Sequence, residues 1–343
     1  MSETAIVILN WNGLDYLKKF LGTVIRYSAG PTVEICVADN GSTDDSVQWV
    51  TLNHPSVRII RLDQNYGFAG GYNLALEKIK AKYYVLLNSD IEVTTGWLEP
   101  LLRHMNENIT SAACQPKILS WSRKDHFEYA GASGGFIDKY GYPFCRGRIF
   151  DNIEKDNGQY DSNAGIFWAS GACMMVRAEA WNHCGGFDDA FFAHMEEIDL
   201  CWRFNRAGYK LECIPASVVY HVGGGTLAYD SPFKTYLNFR NSLFLLYKNL
   251  PQKYLKRTLF VRRVLDGIAA AMFLFKGRFG SVKAVWKAHM DYYSAFKDLK
   301  AKRENVQKTG DGKVTHVLNK SIVFEFYGRG KKTYSSLNMS TNQ

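Results

Sequence analysis

Residues 4–13 read TAIVILNWNG and residues 33–42 read VEICVADNGS. Each is a short, β-branched apolar run that stops at Asn or Asp and then meets a Gly. A run that stays apolar without alternating suits a strand buried on both faces, as in a parallel sheet. Two related runs follow: Val57–Leu62, leading to Asn65-Tyr66-Gly67-Phe68, and Tyr83–Leu87, leading to Asn88-Ser89-Asp90. Between the strands, Leu14, Leu17, Phe20, Leu21, Val24 and Ile25 fall at helical spacing, and Asp44–Leu52 and Ala69–Ile79 are further candidate helices. Strands alternating with helices predict βαβ units, whose ligands sit beyond the carboxyl ends of the strands. Asn, Asp and Gly dominate ordinary turns as well. Four successive tips of that chemistry, two of them with Asp, nevertheless describe one ligand rim.

Further along, Ala113–Trp121 reads as another strand. Residues 122–165 are Gly-rich and irregular, suggesting loops or a small hairpin. Phe167–Val176 reads as a strand, Ala178–Cys184 as a short helix closed by Gly185-Gly186, and Leu200–Arg206 as a helix ending at Gly208. Strands over Lys210–Ile214 and Val218–His221 precede Gly223-Gly224-Gly225. From Phe233 the pattern turns to long amphipathic helices, punctuated by Pro251, with Tyr254–Phe275 and Val282–Leu299 as two of them. The domain reading is a catalytic unit over 1–230, with a nucleotide-sugar part at about 1–120 and an acceptor part at about 121–230, then a basic helical region over 231–343.

The composition, 46% hydrophobic and 22% charged over 343 residues, is that of a globular chain able to bury a full core. Seven cysteines with no CxxC pair argue against a disulfide framework or zinc ribbon, and suit a reducing compartment. The start shows no basic segment of the secretory type. The longest uncharged apolar run of the tail, Gly267–Phe275, falls far short of the roughly 20 residues of a membrane span. The expected location is therefore cytoplasmic. The net charge of +9 is uneven: residues 251–343 hold 19 Lys and Arg against 6 Asp and Glu, leaving 23 against 27 in the first 250. Such a basic tail suits phosphate-bearing partners, or is a plain solvated surface. With Phe273, Leu274, Phe275, Trp286, Tyr292 and Tyr293 in it, peripheral contact with an anionic membrane is one reading, and packing on the catalytic unit the other.

Three segments hold candidate chemistry. Asp90, at a strand tip, can hold a divalent cation that neutralises a diphosphate. Glu196, Glu197 and Asp199 lie between an aromatic approach, Phe187 to His194, and an apolar helix. A carboxylate among aromatic walls gains proton affinity by desolvation and can act as a general base, although carboxylates also favour any first helical turn. His221, before the glycines, can ligate metal through a neutral imidazole.

Together these residues resemble the family-2 glycosyltransferases of the GT-A fold, especially the bacterial rhamnosyltransferase-like branch that builds surface polysaccharide. The resemblance runs from Ala5 to about Thr226. It rests on Ile8–Gly13, Val37–Asp44, Asn65–Asn73, Leu87–Asp90, Gly186-Phe187-Asp188 leading to Glu196–Leu200, and His221. It implies an α/β fold, a Rossmann-like, mostly parallel sheet flanked by helices, with a C-terminal basic helical extension. It also implies an inverting transfer from a nucleotide-diphosphate sugar to a glycan or lipid-linked acceptor, with Mn²⁺ or Mg²⁺ as cofactor. By the same resemblance Asp39 contacts the nucleoside beside Asn10 and Trp11, and Asn65, Gly67 and Asn73 shape the nucleotide pocket. Asp90 and His221 hold the metal, and Glu197 is the base. Asn88 stands where the family often has Asp, and Glu197 where it usually has Asp, so Glu196 and Asp199 stay open as alternative bases.

Other classes fit less well. A nucleotidyltransferase would place Lys or Arg in a Gly-rich loop after strand one, where this chain has Asn-Trp-Asn-Gly, and a dinucleotide-binding dehydrogenase would show G-x-G-x-x-G there. A catalytically weak member acting as a membrane- or nucleic-acid-associated assembly subunit is the alternative reading; retention of Asp39, Asp90, Glu197 and His221 argues against such decay, and nucleic acid is the less favoured partner.

Overall fold

The four β-branched runs form β1 (Ser2–Asn10), β2 (Val33–Asn40), β3 (Arg58–Leu62) and β4 (Ala81–Asn88), in a computed structural model that describes residues 2–223, 231–310 and 314–339. β1 pairs in parallel with both β2 and β4, and β2 with β3. Ala5 and Val7 face one apolar cluster while Ile6 and Ile8 face another. Both faces of β1 are thus buried, which is why its sequence does not alternate. The connecting helices are α1 (Leu14–Ser28), α2 (Ser46–Asn53) and α3 (Gly67–Leu76). α3 packs unusually close: a Cβ on Gly71 would come within 2.9 Å of Leu9 and 3.0 Å of the Asn40 amide. The Tyr72 hydroxyl then donates toward the carbonyls of Val7 and Leu87, tying the helix to β1 and β4.

The chain continues through β5 (Ile91–Val93), α4 (Leu98–Glu107) and β6 (Ser111–Ser120). Residues 122–165, expected as loops or a small hairpin, instead supply β7 (Gly135–Asp138), β8 (Pro143–Cys145), β9 (Arg148–Ile149), β10 (Asn152–Ile153) and β11 (Ala164–Gly165). Then come β12 (Cys173–Arg177), α5 (Ala178–Cys184), α6 (Glu196–Arg206) and β13 (Lys210–His221). β13 is one strand with a register shift between Ile214 and Val218, where two strands were expected. Among the described residues the main sheet runs β11-β13-β6-β12-β4-β1-β2-β3, with β5 also on β13. β12 lies antiparallel between β4 and β6, and β13 is parallel to β6, so the sheet is mixed but mostly parallel.

The C-terminal helices are α7 (Pro232–Asn249), α8 (Gln252–Phe275), α9 (Phe279–Ser294) and α10 (Phe296–Lys308), the expected helix over 282–299 being two. β14 (Val317–Leu318) joins β7 to extend a second sheet, β10-β9-β8-β7-β14. The C-terminal helices share a core with the sheet. Leu243, Phe244 and Leu246 of α7, Tyr292 of α9 and Leu299 of α10 belong to the same apolar cluster as Leu86 and Phe187. Tyr334 packs on Phe136 at a centroid distance of 4.9 Å, so the polar tail is docked as well. All seven cysteines are buried and unbonded to one another. Among the described residues no helix is long and apolar enough to cross a membrane.

Candidate active site

The parallel strands bring their Asn- and Asp-rich tips to one edge, and side-chain hydrogen bonds join the tips that follow β1, β2 and β3. The Asn10 amide, buried at the end of β1, donates to Asp39 Oδ1 (3.2 Å), Ser42 Oγ (3.1 Å) and Ser46 Oγ (2.9 Å). Asp39 Oδ2 accepts from the Ser42 N–H at 3.2 Å. Trp11 stands beside it, 45% exposed. Next to Asp39 the surface is concave, about 500 Å³, lined by Ser42, Asp44, Gln48 and Arg61 among others. Asn40, which sequence reasoning passed over, bridges to the next tip. Its amide donates to Asn65 Oδ1 and the Gly67 carbonyl, and its Oδ1 accepts from the Tyr66 N–H.

Gly67 opens α3 at φ +71°, and a Cβ there would meet the ring and the carbonyl oxygen of Phe192 at 2.6 Å. That carbonyl accepts from the Phe68 N–H (2.7 Å) and the Ala69 N–H (3.2 Å), so the segment before α6 caps the N-terminus of α3. Asn73 binds the same region from within: its amide donates to the Phe187 carbonyl and its Oδ1 accepts from the Phe187 N–H. Its side chain is thereby engaged by the backbone of the segment that precedes α6.

Asp90 follows the tip of β4. The register that pairs Ile91 with His221 puts its carboxylate beside that imidazole, with Oδ1 3.1 Å from Nε2. The Gly223 N–H donates to Asp90 Oδ2 at 3.3 Å. The glycines beyond, Gly224 and Gly225, and Thr226 lie outside the described residues. On the other side of the ring, Nδ1 lies 3.2 Å from Glu128 Oε2. Glu128 is buried and was missed because it falls in the stretch read as irregular. It is set by a backbone hydrogen bond from its N–H to Ile118 of β6. Burial opposes a charge on His221, but the carboxylates of Glu128 and Asp90 outweigh it and push its pKa up to about 10. Burial likewise opposes ionisation of Asp90, and His221 reverses the balance, holding that carboxyl below its ordinary value.

Asp90 and His221 are the side chains here that could ligate a divalent cation, the imidazole first giving up the proton it shares with Asp90 Oδ1 at 3.1 Å. Glu128 behind the ring is the kind of carboxylate that orients a ligating imidazole. Among the described residues no three His, Cys, Asp or Glu converge on one point for a cation. A cation here would complete its shell with water and diphosphate oxygens, as Mg²⁺ commonly does.

α6 starts at Glu196, not at Leu200, and the two glutamates of its first turn differ from Asp199. Asp199 is fully buried and receives Arg203 Nε (3.0 Å), Lys248 Nζ (3.0 Å) and Asn249 Nδ2 (2.8 Å). A carboxylate so occupied, and fully buried, is held in place by three donors and turned into the core. Glu196 and Glu197 each leave Oε2 buried without a partner. Burial, then the neighbouring Glu197 charge, drives the Glu196 carboxyl far up. Burial pushes Glu197 up to about 7. Glu197 is placed at the rim by Gly171, whose Cβ position is 3.8 Å from the Glu197 Cβ and 3.0 Å from the Phe68 ring. The next residue, Ala172, accepts the Asn88 N–H at 2.9 Å. Glu197 and the Asn88-Ser89-Asp90 tip thus flank one short stretch of backbone.

α7 holds the segment between Asp188 and α6. Phe192, His194 and Met195 all have positive φ (63°, 69° and 74°), unusual for residues with side chains. The buried Asn241 amide donates to the carbonyls of Phe191 (2.9 Å), Ala193 (2.9 Å) and His194 (2.7 Å), and Arg240 to those of Ala190 and Phe191. Lys248 pairs with Asp188 as well as Asp199, and Lys302 of α10 with Asp188. The Asn and Arg of α7 gave no sequence signal, because nothing local says which carbonyls they meet.

Parallel strands ending in this rim, with a carboxylate-bearing helix across from it, define a GT-A-type transferase fold. The glycosyl transferase family 2 model matches residues 5–180, and the chain belongs to that family. It is 25% identical over 234 residues to an N-acetylglucosaminyl-diphospho-decaprenol L-rhamnosyltransferase of Mycobacterium tuberculosis, spanning 63% of this chain and 75% of that one. It is 27% identical over 225 residues to the rhamnosyltransferase WbbL of Escherichia coli, spanning 63% and 82%. Among solved structures, the mannosyltransferase PcManGT of Pyrobaculum calidifontis, in complex with GDP-Man and Mn²⁺, superposes with a TM-score of 0.52 at 13% identity, over 90% of this chain and 85% of that one.

Proposed function

We propose that this family-2 glycosyltransferase moves a sugar from a nucleotide-diphosphate donor to an acceptor hydroxyl with inversion at the anomeric carbon, Glu197 being the general base. The observation that carries the reading is the Glu197 carboxylate, buried with Oε2 unpartnered and its pKa pushed up to about 7 beside the β4 tip. A base with a pKa near the working pH combines the ionised form with useful proton affinity. The nucleoside lies against Asp39, Trp11 and the concave surface beside them, with Asn10, Asn40, Asn65 and Gly67 fixing that edge, and Asn88 and Ser89 lead to the diphosphate. Asn73 acts by holding Phe187. Asp90 and His221 would hold Mn²⁺ or Mg²⁺, which when bound offsets charge on the leaving diphosphate. The acceptor oxygen bonds to the anomeric carbon, its proton passes to Glu197, and the carbon–oxygen bond to the diphosphate breaks with both electrons leaving on oxygen.

The name of the Mycobacterium relative specifies a diphospho-decaprenol compound, and this supports a lipid-linked or polysaccharide intermediate as acceptor. The test is donor hydrolysis and transfer across a panel of nucleotide sugars with Mn²⁺ or Mg²⁺, then with chelator. One metal-dependent donor is expected, and Glu197→Gln should abolish transfer while leaving donor affinity within about threefold. Near-normal turnover by Glu197→Gln would refute the assignment.

A further inference from the structure

The C-terminal helices carry apolar surface that the core does not use. Along α8, Phe260, Val264, Ile268, Met272 and Phe275 recur on one face and are all exposed, Phe260 by 67% and Phe275 by 89%. The opposite face, with Leu255, Leu259 and Asp266, is buried. After the turn, Phe279, Trp286, Met290 and Tyr293 make a similar stripe on α9, with Phe279 63% and Trp286 68% exposed. Arg263 of α8 lies over the Tyr293 ring at 5.5 Å, so the stripes adjoin. Scattered exposed apolar residues are ordinary, but stripes along two adjoining helices mark an interaction surface.

The charges on this hairpin are predominantly of one sign. Residues 252–294 hold nine Lys and Arg and two Asp. Both aspartates are occupied: Asp266 by Arg262 and His289, Asp291 by Lys287 and Tyr236. Lys253, Lys256 and Arg257 near the start of α8, Lys276 in the turn and Lys283 on α9 are all exposed. A second copy of this chain docking face to face would bring like charges together. A surface of anionic headgroups over an acyl layer matches both the cations and the apolar stripe.

We propose that the α8–α9 hairpin docks flat on an anionic bilayer, with Phe260, Phe275, Phe279 and Trp286 entering the interface and the lysines meeting the headgroups. The hairpin lies on the membrane and does not span it. Its turn also adjoins the cleft. A Cβ on Gly280 would be 3.0 Å from Pro232, and Phe233 beside it meets the Phe192 ring at 6.4 Å, over Gly67. Docking therefore brings the mouth of the rim close to the bilayer, where an acceptor with a lipid tail would arrive. That last consequence rests on the transfer reading, whereas docking itself does not.

The test is sedimentation of the full chain, without any nucleotide sugar, with phosphatidylcholine vesicles alone or containing about 30 mol % phosphatidylglycerol. The wild type should bind the anionic vesicles at least about tenfold more tightly than the neutral ones, and lose most binding in about 0.5 M salt. Two variants separate the contributions: Phe260→Ser/Phe275→Ser/Trp286→Ser, and Lys253→Glu/Lys276→Glu/Lys283→Glu. Each should reduce anionic-vesicle binding at least about tenfold with Tm nearly unchanged, since the side chains are exposed. Wild-type binding that ignores lipid charge, no binding at all, or variants that bind like the wild type would overturn the proposal. So would a wild-type dimer that the serine variant turns into a monomer with no vesicle binding in either, which would make the face a self-association surface. Because no donor or acceptor is present, these outcomes are independent of whether the transferase reading holds.

Discussion

Replacing Asn241 by Leu tests the idea that α7 sets the geometry of the segment leading into Glu196 and Glu197. The amide of Asn241 is buried and lies within 2.7–2.9 Å of three carbonyl oxygens, those of Phe191, Ala193 and His194. Phe191 keeps a second donor in Arg240 at 3.0 Å. The bonds from Asn241 to Ala193 and His194 are then the ones whose loss counts. A buried carbonyl deprived of its donor costs about 1–3 kcal/mol, so the pair sets a loss of about 2–6 kcal/mol if nothing moves. The segment lies near the surface and can turn a carbonyl toward water, which brings the expected loss to about 2–4 kcal/mol. The same movement relaxes the positive φ values at Phe192, His194 and Met195, and these residues run directly into Glu196 and Glu197. The damage should therefore appear in kcat. Thermal unfolding should shift down by several degrees. With a donor identified, kcat for transfer should fall at least about tenfold while donor KM moves less than about threefold. Asn241→Asp should not rescue, because a carboxylate cannot donate to carbonyls. A Leu variant with unchanged Tm and unchanged kcat would show that α7 merely covers the segment.

The remaining expectations follow the same geometry. With its pKa pushed up to about 7, Glu197 should give kcat/KM an ascending limb centred near that pH, and the limb should disappear in whatever activity survives in Glu197→Gln. The folded-state pKa is raised, so this group's contribution to stability is complete below its ordinary value of 4.5 and is lost as pH rises through about 7; urea titrations at pH 5 and 8 should show a smaller gap for Glu197→Gln than for the wild type. Glu128→Gln should weaken Mn²⁺ binding, read by calorimetry, about 10–100-fold, the usual cost of losing the partner that orients a ligating imidazole. Gly67→Ala should destabilise by at least about 2 kcal/mol, because the alanine must hold φ +71° and its methyl must displace Phe192; a neutral effect in chemical denaturation would contradict the close approach.

The sequence determined the parallel half of the sheet and where its strand tips lie. Where strands are short, β-branched and buried on both faces, local composition and parallel topology agree, and polar residues at the tips can only meet at one edge. Asn10, Asp39, Asn65 and Asp90 were legible for that reason. Their motifs are contiguous, so spacing alone places them. The second sheet was not legible. Strands such as β9 and β11 are two residues long, too short for any periodicity, and exist because neighbours distant in sequence supply their partners. The tertiary structure also distinguished three carboxylates that look alike in the run from Glu196 to Asp199. Lys248, Asn249 and Arg203 claim Asp199, while Glu196 and Glu197 keep open lone pairs, and two of those three partners come from or join α7 and lie some 50 positions away in the chain. It brought Glu128 to His221 across the fold, and it divided the tail's aromatics, placing Tyr292 in the core and leaving Phe275 and Trp286 outside. Amphipathic periodicity tells that a helix has an apolar face. Which face the core takes, and what remains for another surface, depends on how many sides the neighbouring elements cover, and that is fixed only by packing.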